Sequence, residues 1–367
     1  MTDFSRSQAP HEPQVLSGRN VNDIYRQGRR LLAAYGEPQG SRAGAVVVCP
    51  WPVLSAYDRP LERVLFDPSR DANPFFHVVE GIWMLSGSAD GRVLDKFVKG
   101  FSERYTEKWG GIHGAYGARW RRHWEFDQLR TVMERLRRDP FDRRVVISMW
   151  DPAHDLWSLD SWVAHHEGKG EIQEEYFEPK DLPCNTHIYP RIRQDSGVNV
   201  LDLTVCCRSN DQIWGAHGAN AVHFSMLQEY LAAGLGIEVG KLYQLSNNFH
   251  LYPDIADKRP LHEQPTDYYD PTIASIRQLE AVTPSVMVTD FQSFDQDIRI
   301  FMEAPGDPRK DALFANPWFA ETLQPVVRTM AFHRQASRQD ALDMASCIAA
   351  TDWRLACLQW LKRRYDK

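Results

Sequence analysis

The stretch that most constrains the fold covers residues 181–225 and reads DLPCNTHIYPRIRQDSGVNVLDLTVCCRSNDQIWGAHGANAVHFS. HIYPRIR and VNVLDLTVCCRS have the β-branched content of two strands, and QDSGV between them supplies turn residues. An apolar helix over 221–234 follows. A thiol at Cys184, a guanidinium at Arg208, a carboxylate at Asp211 and an amide at Asn220 sit inside these otherwise core-like segments. Polar groups in such places need partners or a ligand.

The elements around this centre predict an α+β fold, one large mixed sheet packed with helices. Residues 21–36 show helical spacing of Ile24, Leu31, Leu32 and Tyr35 before a glycine stop. AGAVVVCPWPV reads as a strand closed by prolines. Residues 73–87 read as a helix with Asn73 as cap, Pro74 in its first turn and Gly87 at its end. A second helix is expected over 94–106, then a glycine-rich loop, WGGIHGAYGARWR, and a helix over 127–138. RRVVISMW reads as a buried strand and KLYQLSNNFHLY as another. From residue 290 the pattern is wholly helical. The expected organisation is a loose N-terminal segment over 1–20, a catalytic domain over 21–289 with a polar insertion near 157–181, and a helical C-terminal extension over 290–367.

A net charge of −6 argues against broad binding to a nucleic-acid backbone, which needs a basic face. No apolar run is long enough to span a bilayer and the N-terminus is polar, so a cytoplasmic protein without membrane contact is expected. The six cysteines show neither CxxC spacing nor the density of a disulfide scaffold, and no metal site is expected.

The unusual residues each admit two readings. Cys184 is a small buried hydrophobe or a thiolate whose pKa a nearby Arg208 lowers. Arg208, and likewise Arg143 and Arg144, are solvated strand ends or binders of a phosphate or carboxylate. Glu80, the sole charge in FFHVVEGIWML, lies on an exposed stripe or is a buried acid with a raised pKa. Asn220 is a helix cap or a reader of a uracil edge, which needs a donor and an acceptor side by side. His250 and Tyr252 share a strand face and either pack locally or hold a sugar hydroxyl.

The order of HVVEGIWMLSG, HGAYGARWR, DRRVVISMWDP, LPCN, CCRSNDQIWG, NAVHFSMLQEYLA and NNFHLY resembles the folate-dependent thymidylate synthases and their pyrimidine hydroxymethylase relatives. The resemblance implies a pocket for a pyrimidine nucleoside monophosphate, with 5,10-methylenetetrahydrofolate as co-substrate, in a homodimer. It makes Cys184 the nucleophile that adds to C6 of the base. It puts Arg208 and Ser209 on the 5′-phosphate, with Arg143 and Arg144 reaching in from the partner subunit, and matches Arg42 in SRAG to a mobile-loop phosphate arginine. Asn220 would read the base, and His250 and Tyr252 would hold the 3′-hydroxyl. Asp211, Trp83 and Gly215 would meet the folate, Glu80 would manage protons, and Tyr116 would join the network near C5.

The sequence departs from that family at Asn185, where histidine is usual, and in GAHGAN, one residue longer than expected before Asn220. Synthases also end in a short tail that closes over folate, whereas this chain continues to LKRRYDK. Water exclusion protects reactive intermediates from hydrolysis. The altered tail therefore favours water over hydride in the last step, giving 5-hydroxymethyl-dUMP, with dTMP as the alternative. Relatives acting on dCMP place aspartate at the position of Asn220, so dUMP is favoured over dCMP. A nucleotide-binding protein without turnover is the alternative of another class.

Overall fold

The structure, a computed structural model, describes residues 12–156, 179–303 and 313–366. Its strands are β1 (Gln14–Gly18), β2 (Glu37–Ser41), β3 (Gly44–Val48), β4 (Val53–Tyr57), β5 (Ile147–Ser148), β6 (Asn185–Asp195), β7 (Val198–Cys207), β8 (Asn210–Asp211), β9 (Glu238–Ser246) and β10 (Phe249–Leu251). They form a six-stranded sheet in the order β1-β4-β9-β7-β6-β5 and a four-stranded sheet in the order β2-β3-β10-β8. The large sheet is mixed, with β7 parallel to β9 and β6 antiparallel to β7, and the fold is α+β.

The β6–β7 hairpin turns through Ser196 (φ 51°) and Gly197 (φ 85°). Two left-handed residues make the tight connection whose twist matches that of the strands. One face of the sheet lies under the Asn220–Leu235 helix, which is buried along nearly its whole length. The Pro74–Leu85 helix crosses it so closely that a Cβ on Gly81 would lie 2.3 Å from Met226 Sδ. Asn73 caps that second helix by accepting the Phe76 N–H, and Gly87 leaves it at φ 74°, as the sequence led us to expect.

On the opposite face, Val15, Leu54, Leu245, Cys206 and His187 stand in register across β1, β4, β9, β7 and β6. Val15 (62%), Tyr189 (43%) and Leu245 (38%) are exposed there. The helices Phe291–Glu303, Gln324–Arg334, Arg338–Ser346 and Thr351–Tyr365 contribute to the same hydrophobic core. Trp360 meets Phe75 edge-on with ring centroids 5.3 Å apart, and the Tyr269 hydroxyl donates to Asp352 at 2.9 Å. Among the described residues no helix is long and apolar enough to cross a membrane.

Several local expectations are corrected. Gln14–Gly18 is not loose but pairs with β4, since an edge strand gives its backbone polar groups partners. The helix expected over 94–106 breaks into a 3₁₀ turn, Gly91–Lys96, and the short Phe101–Tyr105 helix, with Gly100 left-handed between them. Part of the glycine-rich loop is helical, Tyr116–Arg121. RRVVISMW pairs only through Ile147 and Ser148, because the Met149 and Trp150 N–H groups both turn to the Thr186 carbonyl. Most of the expected insertion, 157–178, falls outside the described residues.

Candidate active site

Cys184, the residue before β6, lines a cavity of about 670 Å³ together with Glu80, Trp83, Tyr116 and Asn220. Residues from four separate segments thus converge on one space. Arg208 leaves the end of β7 beside them: its backbone N–H donates to the Cys184 carbonyl at 2.9 Å. Its Nε and Nη2 donate to the carbonyls of Pro183 (3.1 Å) and Leu182 (3.2 Å). Arg208 therefore clamps the loop carrying the thiol while remaining exposed.

The expectation that Arg208 makes the thiol acidic is corrected. Burial pushes the Cys184 thiol up, and although Arg208 pulls it down, Asp181 and Asp211 push it further up. Desolvation of the charged form outweighs one partly solvated cation.

Glu80 sits inside the core, not on an exposed stripe, and burial raises its carboxyl to about 8, with the nearby Asp181 adding to the rise. Its Oε2 lies 3.3 Å from His223 Nε2. The two do not form an ion pair at neutral pH: burial lowers His223 to about 4 and its Nε2 faces the His77 carbonyl at 3.2 Å. Glu80 Oε2 has no hydrogen-bond partner among the described residues, which is the condition of an acid waiting for a ligand.

Asn220 is not a helix cap. The Gln212–Ala219 segment winds as a π-helix that runs straight into the Asn220–Leu235 helix, with a kink at Gly218. The wide turn absorbs the extra residue of GAHGAN. The Asn220 amide donates to Asn210 Oδ1 at 3.1 Å, and the Asn210 amide donates to Ser246 Oγ at 3.0 Å. Gly215 abuts this pair, where a Cβ would lie 3.0 Å from Asn210 Oδ1.

Asp211 accepts the N–H groups of Ile213 (2.7 Å) and Trp214 (2.9 Å) through Oδ1, while its buried Oδ2 has no partner among the described residues. It pairs in β8 with His250 of β10. His250 and Tyr252 meet edge-on at 5.8 Å, so they do share a side, although Tyr252 already leaves the strand to cap the next helix. Burial raises the Tyr252 hydroxyl, and Asp211, Cys184 and Arg42 lie close enough to act on it electrostatically. The Tyr116 ring stacks on Phe224 at 6.0 Å, and its hydroxyl sits against the Asn185 N–H. Trp83 forms wall, its indole N–H donating to the Asp90 carbonyl at 2.9 Å.

Ser209, beside Arg208, is partly exposed at the end of β7 and, like Arg208, does not line the cavity. Arg143 and Arg144 are exposed and outside the cavity; Arg144 pairs with Asp142 at 2.8 Å. The sequence reading missed Arg70, His77, Asp181, Trp214 and His223, all of which line the cavity. Two had a signal: His77 lies one helical turn before Glu80, and His223 one turn after Asn220.

Comparison with known proteins places these features in a family. Residues 73–298 match the family described as thymidylate synthase. A deoxyuridylate hydroxymethyltransferase of Pseudomonas phage M6 is 38% identical over 363 residues, covering 96% of this chain and 94% of that protein. The protein of the same name from Bacillus phage SP01 is 32% identical over 65% of this chain and 59% of its own length. A thymidylate synthase of Streptococcus mutans is 31% identical over 41% of this chain and 48% of its own. Among solved structures, the thymidylate synthase of T4 phage aligns with a TM-score of 0.48 at 20% identity, covering 67% of this chain and 81% of that one.

Proposed function

Because the chain belongs to the thymidylate synthase family, we propose that it transfers a one-carbon unit from 5,10-methylenetetrahydrofolate to C5 of dUMP and finishes with water, giving 5-hydroxymethyl-dUMP. The observation that carries this reading is the meeting of Cys184, Glu80, Tyr116 and Asn220 on one cavity wall. A pyrimidine C5 is a weak nucleophile until a thiolate adds at C6 and creates an enolate. Cys184 is that nucleophile. Glu80, protonated at neutral pH, donates toward O4 as the enolate forms and returns the proton later. Asn220 offers Oδ1 to N3–H and an amide hydrogen to O4, and Asn210 holds it for that purpose.

The phosphate falls to Arg208 and Ser209, with Arg42 from the β2–β3 hairpin. The sugar hydroxyl goes to His250 and Tyr252, and the folate lies against Trp83, Gly215 and the unpartnered Oδ2 of Asp211. Arg143 and Arg144 enter from a second copy of the chain. The uncovered apolar row from Val15 to His187 is the surface such a dimer would bury. Water as the terminal acceptor is supported by the phage M6 relative, whose alignment runs through the C-terminal helices. The deciding experiment incubates the protein with dUMP and methylenetetrahydrofolate and weighs the nucleotide. 5-Hydroxymethyl-dUMP with tetrahydrofolate is expected; dTMP with stoichiometric dihydrofolate would refute the reading.

A further inference from the structure

Asp181 has no role in the chemistry described so far, yet it lines the same cavity as Glu80, Tyr116 and Cys184. Its position is built. The neighbouring Lys180 donates its N–H to the Glu107 carboxylate at 2.7 Å and its Nζ to the Thr106 carbonyl at 2.6 Å. On the other side, the Leu182 and Pro183 carbonyls take the Arg208 guanidinium. Gly114 makes room for the side chain, since a Cβ there would lie 2.6 Å from Asp181 Oδ2. Among the described residues no hydrogen bond reaches the Asp181 carboxylate.

The carboxylate is open to the cavity, and the other cavity residues narrow what it can do there. Burial raises Asp181 to about 6 while His113, Arg208 and Arg119 hold it down and Glu107 opposes them. At neutral pH it is mainly a carboxylate beside a protonated Glu80, a separation of roles between two neighbouring acids. His77 and His223 are poor bases there, both lowered by burial. Asp71 is engaged by Arg363 and Arg364, and Cys184 is bonded to the base during the last step.

We propose that Asp181 is a catalytic base that delivers the closing water and so directs the product to hydroxymethyl. The inference rests on the reading that the reaction runs through a Cys184 adduct ending in water. After tetrahydrofolate leaves, the base carries an exocyclic methylene at C5, conjugated with the C4 carbonyl. Asp181 takes a proton from water, the oxygen bonds to the methylene carbon, and the electron pair of that double bond moves onto O4 as an enolate. The enolate then re-forms the C5–C6 double bond, the C6–S bond breaks, and Cys184 leaves as thiolate. No oxidant or reductant is consumed.

The test compares wild type with Asp181→Asn on C5-tritiated dUMP and methylenetetrahydrofolate, with 2-mercaptoethanol present. In a single turnover with enzyme in excess, tritium release is expected within about threefold of wild type, because Asp181 acts after C5 is deprotonated, and it reports a folded protein. Formation of 5-hydroxymethyl-dUMP is expected to fall by about 100-fold or more, the usual worth of a general base. The stranded methylene should then appear as the thioether with 2-mercaptoethanol, or as dTMP by hydride transfer from the eliminated tetrahydrofolate, which becomes dihydrofolate. Hydroxymethyl product at the wild-type rate overturns the inference, as does loss of tritium release together with product, which would place Asp181 in an earlier step. Wild-type protein that makes dTMP would instead overturn the reading of the reaction and leave a different signature.

Discussion

The backbone N–H of Arg208 donates to the carbonyl oxygen of Cys184 at 2.9 Å. The proposed nucleophile and the proposed phosphate ligand are thus tied together at the open end of the β6–β7 hairpin, so a phosphate held by Arg208 would fix the position of the base relative to the thiol. Since burial keeps that thiol high in pKa despite Arg208, the thiolate is expected to form as the pyrimidine arrives, not beforehand.

Cys184→Ala should abolish turnover while leaving the dissociation constant for dUMP within a few fold, because the phosphate and base contacts lie on other residues. Wild type with 5-fluoro-dUMP and methylenetetrahydrofolate should give a covalent adduct in denaturing mass spectrometry. A folded protein without the adduct would rule out the nucleophile.

Glu80 makes stability depend on pH. Its carboxyl titrates near 8 when folded against an ordinary value of 4.5. Between those values the folded state keeps a proton that the unfolded state releases, so stability falls as pH rises through this window and levels off above it. Each unit is worth about 1.4 kcal/mol, so Glu80→Gln should gain on wild type by several kcal/mol from pH 5 to pH 8. Melting curves of both proteins across that range measure the gap; a constant difference would contradict the burial argument.

Asn220→Asp puts an acceptor where the amide donated, which repels O4 of uracil and accepts from the N4 amine of cytosine, while the other carboxyl oxygen, when protonated, donates to N3 of cytosine. A matched hydrogen bond in a buried site is worth about 1–3 kcal/mol. The ratio of kcat/KM for dCMP over dUMP should therefore rise by about 10- to 100-fold, read by tritium release from the two labelled nucleotides.

Asp71 holds the last helix to the cavity wall. It lies at φ 46°, unfavourable for a residue with a side chain, and its carboxylate pairs with Arg363 at 3.1 Å and Arg364 at 3.0 Å. Asp71→Ala should cost about 1–2 kcal/mol and speed amide exchange selectively in Thr351–Tyr365. Uniform exchange across the protein would argue against this link.

The dimer prediction turns on the uncovered sheet face. Leu245→Glu puts a charge at the middle of the apolar row and should yield monomers by sedimentation. Activity should fall with assembly, and Arg143→Ala should raise the KM for dUMP in protein that still dimerises. A monomeric wild type with full activity would remove both arginines from the site.

Local sequence determined the elements whose causes are local. Asn73 and Pro74 start a helix because a side-chain acceptor and a missing N–H suit its first turn, and Gly197 lets the hairpin close because glycine adopts left-handed backbone without steric cost, with Ser196 carried into the same region beside it. It also marked Cys184, Arg208, Asp211 and Asn220, since polar groups at the ends of apolar segments stand out from the pattern. What only the tertiary structure decided is everything that depends on distance through space. Glu80 and Asp181 influence each other's neighbourhood because one helix and one loop, remote in sequence, face the same cavity. The high thiol of Cys184 follows from burial, which no spacing reveals. The seat of Asn220 depends on a π-turn held between two sheets, and the attachment of the last helix beside the cavity depends on Asp71 meeting Arg363 and Arg364. Periodicity along a chain reports which face of an element is apolar; the electrostatic character of a site is set by which elements the fold brings together and how much water they exclude.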